Sequence, residues 1–225
     1  MATDSKPQKH NATVNTSLCK EAELDPIHQP KPVLIINCSD KKVEHETNAF
    51  DLYLGDIFKV IRANTKDRDI RDMFNVFILS AKHGLLSSAD TVKPYNQRMP
   101  KRSTIARRKG IAEFAETHKT KAAKLLKQHQ GGDLVVMLSF DYLTAFDLMF
   151  YDHKLKEMFD EVVISRTHRG HGDMKKALIA EITKTKIINS HKKSDLIGRF
   201  IFTINFDDLS FRHTYYQFPL DNFPV

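Results

Sequence analysis

An α/β fold, a three-layer sandwich around a central, mostly parallel sheet of about four strands flanked by helices, is what the chain predicts. Three observations carry it. Short apolar runs recur at 33–37, 76–79, 134–138 and 161–164. The segments between them carry apolar residues at helical spacing. The first two runs each finish in a cluster of reactive, cationic or flexible residues, Cys38-Ser39-Asp40-Lys41-Lys42 and Ser80-Ala81-Lys82-His83-Gly84. In open α/β sheets ligands bind beyond the carboxyl ends of the strands, so two such clusters on neighbouring strands converge on one site.

The elements follow in order. Residues 1–31 are polar and proline-broken, without periodicity, and read as a flexible leader. The first strand covers 33–38. Phe50, Leu52, Tyr53, Ile57, Phe58, Val60 and Ile61 predict one helical stretch over 48–64. The second strand takes 75–80. Residues 84–99 read as a loop, broken by Pro94 and ended by Pro100. A long helix begins near Ser103, a suitable N-cap, and runs towards Gly131-Gly132. Ile105, Ile111, Phe114, Ala115, Ala122, Leu125 and Leu126 form its core stripe, and lysines and arginines cover the rest. A third strand over 134–138 leads to a helix over 142–151. A fourth over 161–164 leads to a helix over 174–186. The α/β domain spans 32–190. Residues 191–225 carry β-branched and aromatic residues around Asp207-Asp208 and read as a β-hairpin or extended arm packed on it.

Composition narrows the function. The chain has 225 residues, 41% of them hydrophobic, enough for a core without disulfide staples. Its net charge of +7 favours a polyanionic partner, and DNA is the partner expected here. Two cysteines, Cys19 and Cys38, make no disulfide framework and no zinc spacing, which fits a reducing, cytoplasmic setting with no metal and no cofactor. No apolar signal segment opens the chain, and no run nears the roughly 20 apolar residues of a membrane span, so no membrane partner is expected.

Candidate chemistry gathers at the strand ends. Cys38, beside Lys41 and Lys42, suits either an activated thiol or a small buried residue, while the lysines suit a phosphate. Ser39 and Asp40 share that turn. Lys82, His83 and Gly84 end the second strand: Gly84 permits a positive φ, and His83 suits acid–base work or packing at a loop edge. Tyr95 could stack on a base and Asn96 could read its edge. After the third strand, Ser139 and Asp141 offer a hydroxyl and a carboxylate. Asp141 suits an N-cap, or a group that orients water. Arg107, Arg108 and Lys109 form a possible phosphate footprint or a solvated helix face. Arg166, His168, Arg169 and His171 make the last strand's exit basic, and the glycines around His171 could present N–H groups to phosphate.

Taken in sequence, Cys38-x-x-Lys41-Lys42, Ala49-x-x-Leu52-Tyr53, Leu79-Ser80-Ala81-Lys82-His83-Gly84-Leu85-Leu86, Pro94-Tyr95-Asn96 and the late Gly-x-Gly helix start resemble an α/β domain family of bacteria, archaea and phages. The pattern also resembles, distantly, the core domain of archaeosine synthase. The resemblance implies a fold similar to uracil-DNA glycosylase and work on a base or nucleoside. Base-excising immunity proteins against phages with modified DNA look like this architecture, which places defence among the settings implied.

The expected activity is therefore that of a DNA glycosylase, which flips out a modified base and hydrolyses its N-glycosidic bond. Asp40 or Asp141 would stabilise the cationic sugar and position water, and His83 or Lys82 would stabilise the departing base. Tyr53 or Tyr95 would stack on the base. The alternatives are a non-catalytic nucleic-acid-binding module and an enzyme on free modified nucleosides or nucleotides.

Overall fold

The computed structural model describes residues 30–100, 105–151, 155–165 and 171–195. The expected leader up to residue 29, the expected N-cap Ser103, residues 166–170 and the expected C-terminal arm from 196 lie outside the described residues.

Strands β1 (Val33–Asn37), β3 (Asn75–Ser80), β6 (Leu134–Met137) and β7 (Val162–Ile164) run parallel. The fifth strand of the sheet, β4 (Gly84–Ser87), is antiparallel to β3, and the order is β4-β3-β1-β6-β7. Strand β1 is central and apolar on both faces, as a parallel strand covered on both sides must be. Leu34 and Ile36 point into one core. Phe50, Ile57, Phe58, Ile61, Ile70, Leu178 and Ile182 fill it, from the helices α1 (Ala49–Leu52), α2 (Asp56–Asn64), α3 (Ile70–Met73) and α7 (His171–Asp195). Val33 and Ile35 point into the other. Ala115, Ala122, Leu126, Leu143, Phe146 and Met149 fill that one, from α4 (Ile105–Lys127) and α5 (Phe140–Met149). Each buried aliphatic or aromatic side chain contributes about 1.5–3 kcal/mol, so the two cores dominate stability.

The layer assignment follows from chain direction. From β1 the chain moves to β3 on one side, then returns past β1 to β6 on the other. Right-handed crossovers force that reversal to carry its helix onto the opposite face. The reversal makes the carboxyl ends of β1 and β6 the switch point of the sheet.

Several elements differ from the sequence reading. The stretch over 48–64 is two helices. Tyr53 between them is extended and forms an antiparallel bridge with Lys42, and Leu54 N–H donates to the Lys41 carbonyl at 2.9 Å. The chain after β1 thus doubles back on this break, and a pairing from outside the helix overrides the helical spacing. Gly55 caps α2, and a Cβ there would lie 2.3 Å from Ser39 Cβ, so only glycine allows the two backbones to approach. Residues 84–99 are not all loop: β4 completes the sheet, and β5 (Thr91–Val92) pairs with β2 (Thr47–Asn48). Ile105, placed in the core stripe, is 83% exposed at the first residue of α4, whereas Ile111, Ala115, Ala122 and Leu126 are buried. The last helix runs from His171 to Asp195, longer at both ends than the expected 174–186. Among the described residues, no helix is long and apolar enough to cross a membrane.

Candidate functional site

Three strand ends meet around a small polar cluster. Strand β3 ends at Ser80, which is fully buried. Its Oγ accepts the backbone N–H groups of Lys82 and His83 at 3.2 and 3.1 Å and lies 2.7 Å from the Tyr95 hydroxyl. A serine hydroxyl has one proton and two acceptor sites. With both acceptor sites taken by N–H groups, Ser80 donates its own proton to Tyr95. The Tyr95 hydroxyl in turn lies 2.8 Å from the Tyr53 hydroxyl, so the chain of donation runs from Ser80 to Tyr95 to Tyr53.

At the switch point, Cys38 Sγ lies 3.0 Å from the Tyr142 hydroxyl of α5. Asn37 Oδ1 accepts the Ser139 N–H at 3.0 Å, and Asn37 Nδ2 donates to the Cys38 carbonyl at 2.9 Å. Burial, then the negative charge available at Cys38, pushes the Tyr95 and Tyr142 phenols far above their ordinary value. Burial, partly offset by the bond from Tyr95, pushes Tyr53 to about 12. All three phenols therefore stay protonated near neutrality and serve as hydrogen-bond donors, not as bases.

Cations surround these phenols. Lys42 Nζ stands 4.5 Å from the Tyr95 ring centroid and 5.7 Å from that of Tyr53, and Lys82 Nζ stands 5.7 Å from that of Tyr95. The His83 ring meets Tyr95 edge-on at 5.2 Å. Burial, followed by the charges of Lys82, Lys121 and His118, holds the His83 imidazole below its ordinary value, so it is neutral at pH 7. Gly84 has φ +69°, the left-handed turn anticipated for it, and closes the β3–β4 hairpin.

Most residues expected at the site are thus gathered there, though several do other work. Tyr53 has no exposed surface and packs on Phe58 at 5.4 Å, so its ring cannot stack on a base. The Ser39 hydroxyl is spent within its own turn, donating to the Lys41 carbonyl and accepting from Gly55 N–H. Asp40 is exposed and paired with Arg98 at 3.1 Å. Lys41 and Asn96 are exposed. Asp141 does not cap α5: Ser139 holds the cap position and Asp141 lies in the first turn. Cys38 is 6% exposed, the small buried residue of the two readings offered. Lys109 stands 3.9 Å from Glu113 along α4, Arg108 is exposed, and Arg107 and His171 are placed only as backbone within their helices. Arg166, His168 and Arg169 lie outside the described residues.

Asn37, Ser80, Tyr142, His118 and Lys121 belong to the same neighbourhood but were not singled out as site residues. Ser80 and Tyr142 carried a signal, since both sit inside quoted motifs. His118 carried none: it comes to the site from the middle of a helix through packing alone. No group of three or more histidine, cysteine or carboxylate side chains suited to a metal ion occurs among the described residues.

No curated protein and no solved structure matches this chain. One family model does, over residues 33–162, which hold every strand of the sheet except the end of β7 and all of the phenol cluster. That match takes in more than half of the sequence, and the chain belongs to DUF6884, a family of unknown function.

Proposed function

We propose that the protein is a DNA glycosylase that holds an extruded, modified base beyond the carboxyl ends of β1, β3 and β6 and hydrolyses its N-glycosidic bond. The observation that carries this reading is the donor chain Ser80–Tyr95–Tyr53 at the carboxyl end of β3, flanked by Lys42, Lys82 and neutral His83. Breaking the bond between C1′ and the base nitrogen leaves an electron pair on the base and a cationic sugar. The ammonium groups of Lys42 and Lys82, held beside the phenols, stabilise the first. A carboxylate stabilises the second and accepts a proton from the attacking water. Asp40, in the turn after β1, and Asp141, in the first turn of α5, are the carboxylates placed for that role. A uracil-DNA-glycosylase-like architecture and a role in defence against phages with modified DNA accord with the parallel sheet and the motif resemblance.

The burial of Tyr53 supports a second reading, an enzyme on free nucleosides or nucleotides, because it leaves fewer aromatic faces for a flipped base. Incubation with DNAs carrying varied modified bases, with mass spectrometry of released bases and alkaline cleavage of abasic sites, tests the first reading. Release from free nucleosides with none from DNA supports the second. Salt-sensitive binding to DNA without any release points to a binding module.

A further inference from the structure

We propose that the β3–β4 turn and the facing flank of α4 form a phosphate subsite, built from Lys82, His83, His118 and Lys121. The inference deepens the nucleotide reading above and rests on it for the identity of the ligand's remaining part.

The geometry begins with Gly84. A Cβ on Gly84 would lie 2.7 Å from both Cγ and Nδ1 of His118. The bare backbone at this left-handed position therefore seats the His118 imidazole directly against the turn that carries Lys82 and His83. Phe114 supports that imidazole from one helical turn earlier, with ring centroids 4.6 Å apart. His83 faces the other way along the turn, edge-on to Tyr95. Two imidazoles and two ammonium groups, from two elements distant in sequence, thus share one small region beside the phenol cluster.

The two ammonium groups lack a nearby carboxylate. Among the described residues, no carboxylate comes within 4.0 Å of the Lys82 or Lys121 ammonium. The nearby acids of α4 are engaged with other lysines, Glu113 near Lys109 and Glu116 with Lys119 at 2.8 Å. Asp40 is taken by Arg98. The groups facing His83 are Lys82 on the turn, Lys121 and His118 on α4, and the protonated Tyr95, with Lys42 over that ring. The charged group facing His118 is Lys121. Every charge in these two sets is positive. Two ammonium groups with no carboxylate partner, beside two imidazoles that gain protons more readily once an anion is present, suit a phosphate group, whose several strong acceptor oxygens satisfy donors from both elements at once. Beside Tyr95, it would be the phosphate of the nucleotide whose base lies at the phenols.

The test is an NMR titration of the His83 and His118 imidazoles in the full chain. The separate arms are inorganic phosphate, a nucleoside 5′-monophosphate, the matching nucleoside, and a short single-stranded oligonucleotide. Both imidazole midpoints should rise by about one unit in the phosphate-bearing arms and stay fixed with the nucleoside, so protonating both should strengthen phosphate affinity by up to about a hundredfold. A response to the monophosphate alone assigns the subsite to a terminal phosphate, and a response to the oligonucleotide assigns it to a backbone diester. Lys121→Ala, at an exposed helix position, should weaken phosphate binding about tenfold while leaving nucleoside binding unchanged. Imidazoles unmoved by every phosphate arm, or a Lys121→Ala protein with a His118→Gln counterpart that both bind phosphate as tightly as the parent, overturn the subsite. Imidazoles that respond in a protein that releases no base keep the subsite and sink the glycosylase.

Discussion

The side-chain oxygen of Asn37 accepts the backbone N–H of Ser139 at 3.0 Å, tying the end of β1 to the cap of α5 across the point where strand order reverses. The same side chain donates to the Cys38 carbonyl. One amide therefore ties the strand end that carries Cys38 to the helix that carries Tyr142.

Replacing that amide should loosen the switch point. Asn37→Leu leaves the Ser139 N–H and the Cys38 carbonyl without their partner, and each such loss costs about 1–3 kcal/mol. Asn37→Asp keeps the acceptor and should fall between. Urea unfolding curves measure both, and a leucine variant as stable as the parent would show that the tie contributes nothing.

Tyr95→Phe removes the middle of the donor chain. Stability should drop by about 1–2 kcal/mol, because the Ser80 proton loses its acceptor. Base release should slow on the order of a hundredfold, the scale of misplacing by about 1 Å the turn that carries Lys82 and His83. An unchanged rate with the same substrate would remove Tyr95 from the mechanism.

Gly84→Ala meets two obstacles, a left-handed φ and the His118 ring at 2.7 Å. Each should cost about 1–2 kcal/mol. His118→Ala relieves the collision but not the backbone strain, so the double variant should recover part of the loss. A double-mutant cycle with no coupling energy would show that His118 moves aside freely.

Cys38→Ala should keep most activity, since hydrolysis to water needs no covalent thiol. Stability should fall by about 1 kcal/mol through lost packing and the orphaned Tyr142 hydroxyl. Burial should also make the native thiol slow to alkylate. Capture of a covalent substrate adduct on Cys38 would instead establish a transfer reaction.

The histidines set a pH dependence with a definite sign. Burial is the largest cause that lowers His83, His118 and His129 from the ordinary value of 6.5. The unfolded chain therefore binds protons at these positions before the folded one does. Stability should be full above about pH 6.5 and fall as pH drops from there towards the folded-state values. Melting curves at pH 7.5, 6.5 and 5.5 should show the decline, and a triple His→Gln variant should flatten it. A melting temperature that rises on acidification through this window would contradict the sign.

The parallel strands were legible because each carries a continuous apolar run, the mark of burial on both faces. The two cationic strand ends were legible for the same reason: they are abrupt ends to such runs. What escaped was set by partners far along the chain. The break at Tyr53 depends on Lys42, strand β4 on its hairpin with β3, and the place of His118 on the seat that Gly84 leaves for it. Helical spacing read Ile105 as core because it fits the stripe, yet it is the first residue of α4 and stands exposed.

The reversal of strand order also dictates when this molecule is most vulnerable during its own synthesis. Strand β1 gains β3 early, but its other edge stays bare until β6 follows the whole of α4 out of the ribosome. Through that interval the central strand of the sheet offers unpaired backbone groups to any neighbour. The bond from Asn37 to Ser139 spans 102 residues and that from Cys38 to Tyr142 spans 104, so both form only as the bare edge is covered. A truncated product that ends within α4 would lack the site and should aggregate through β1.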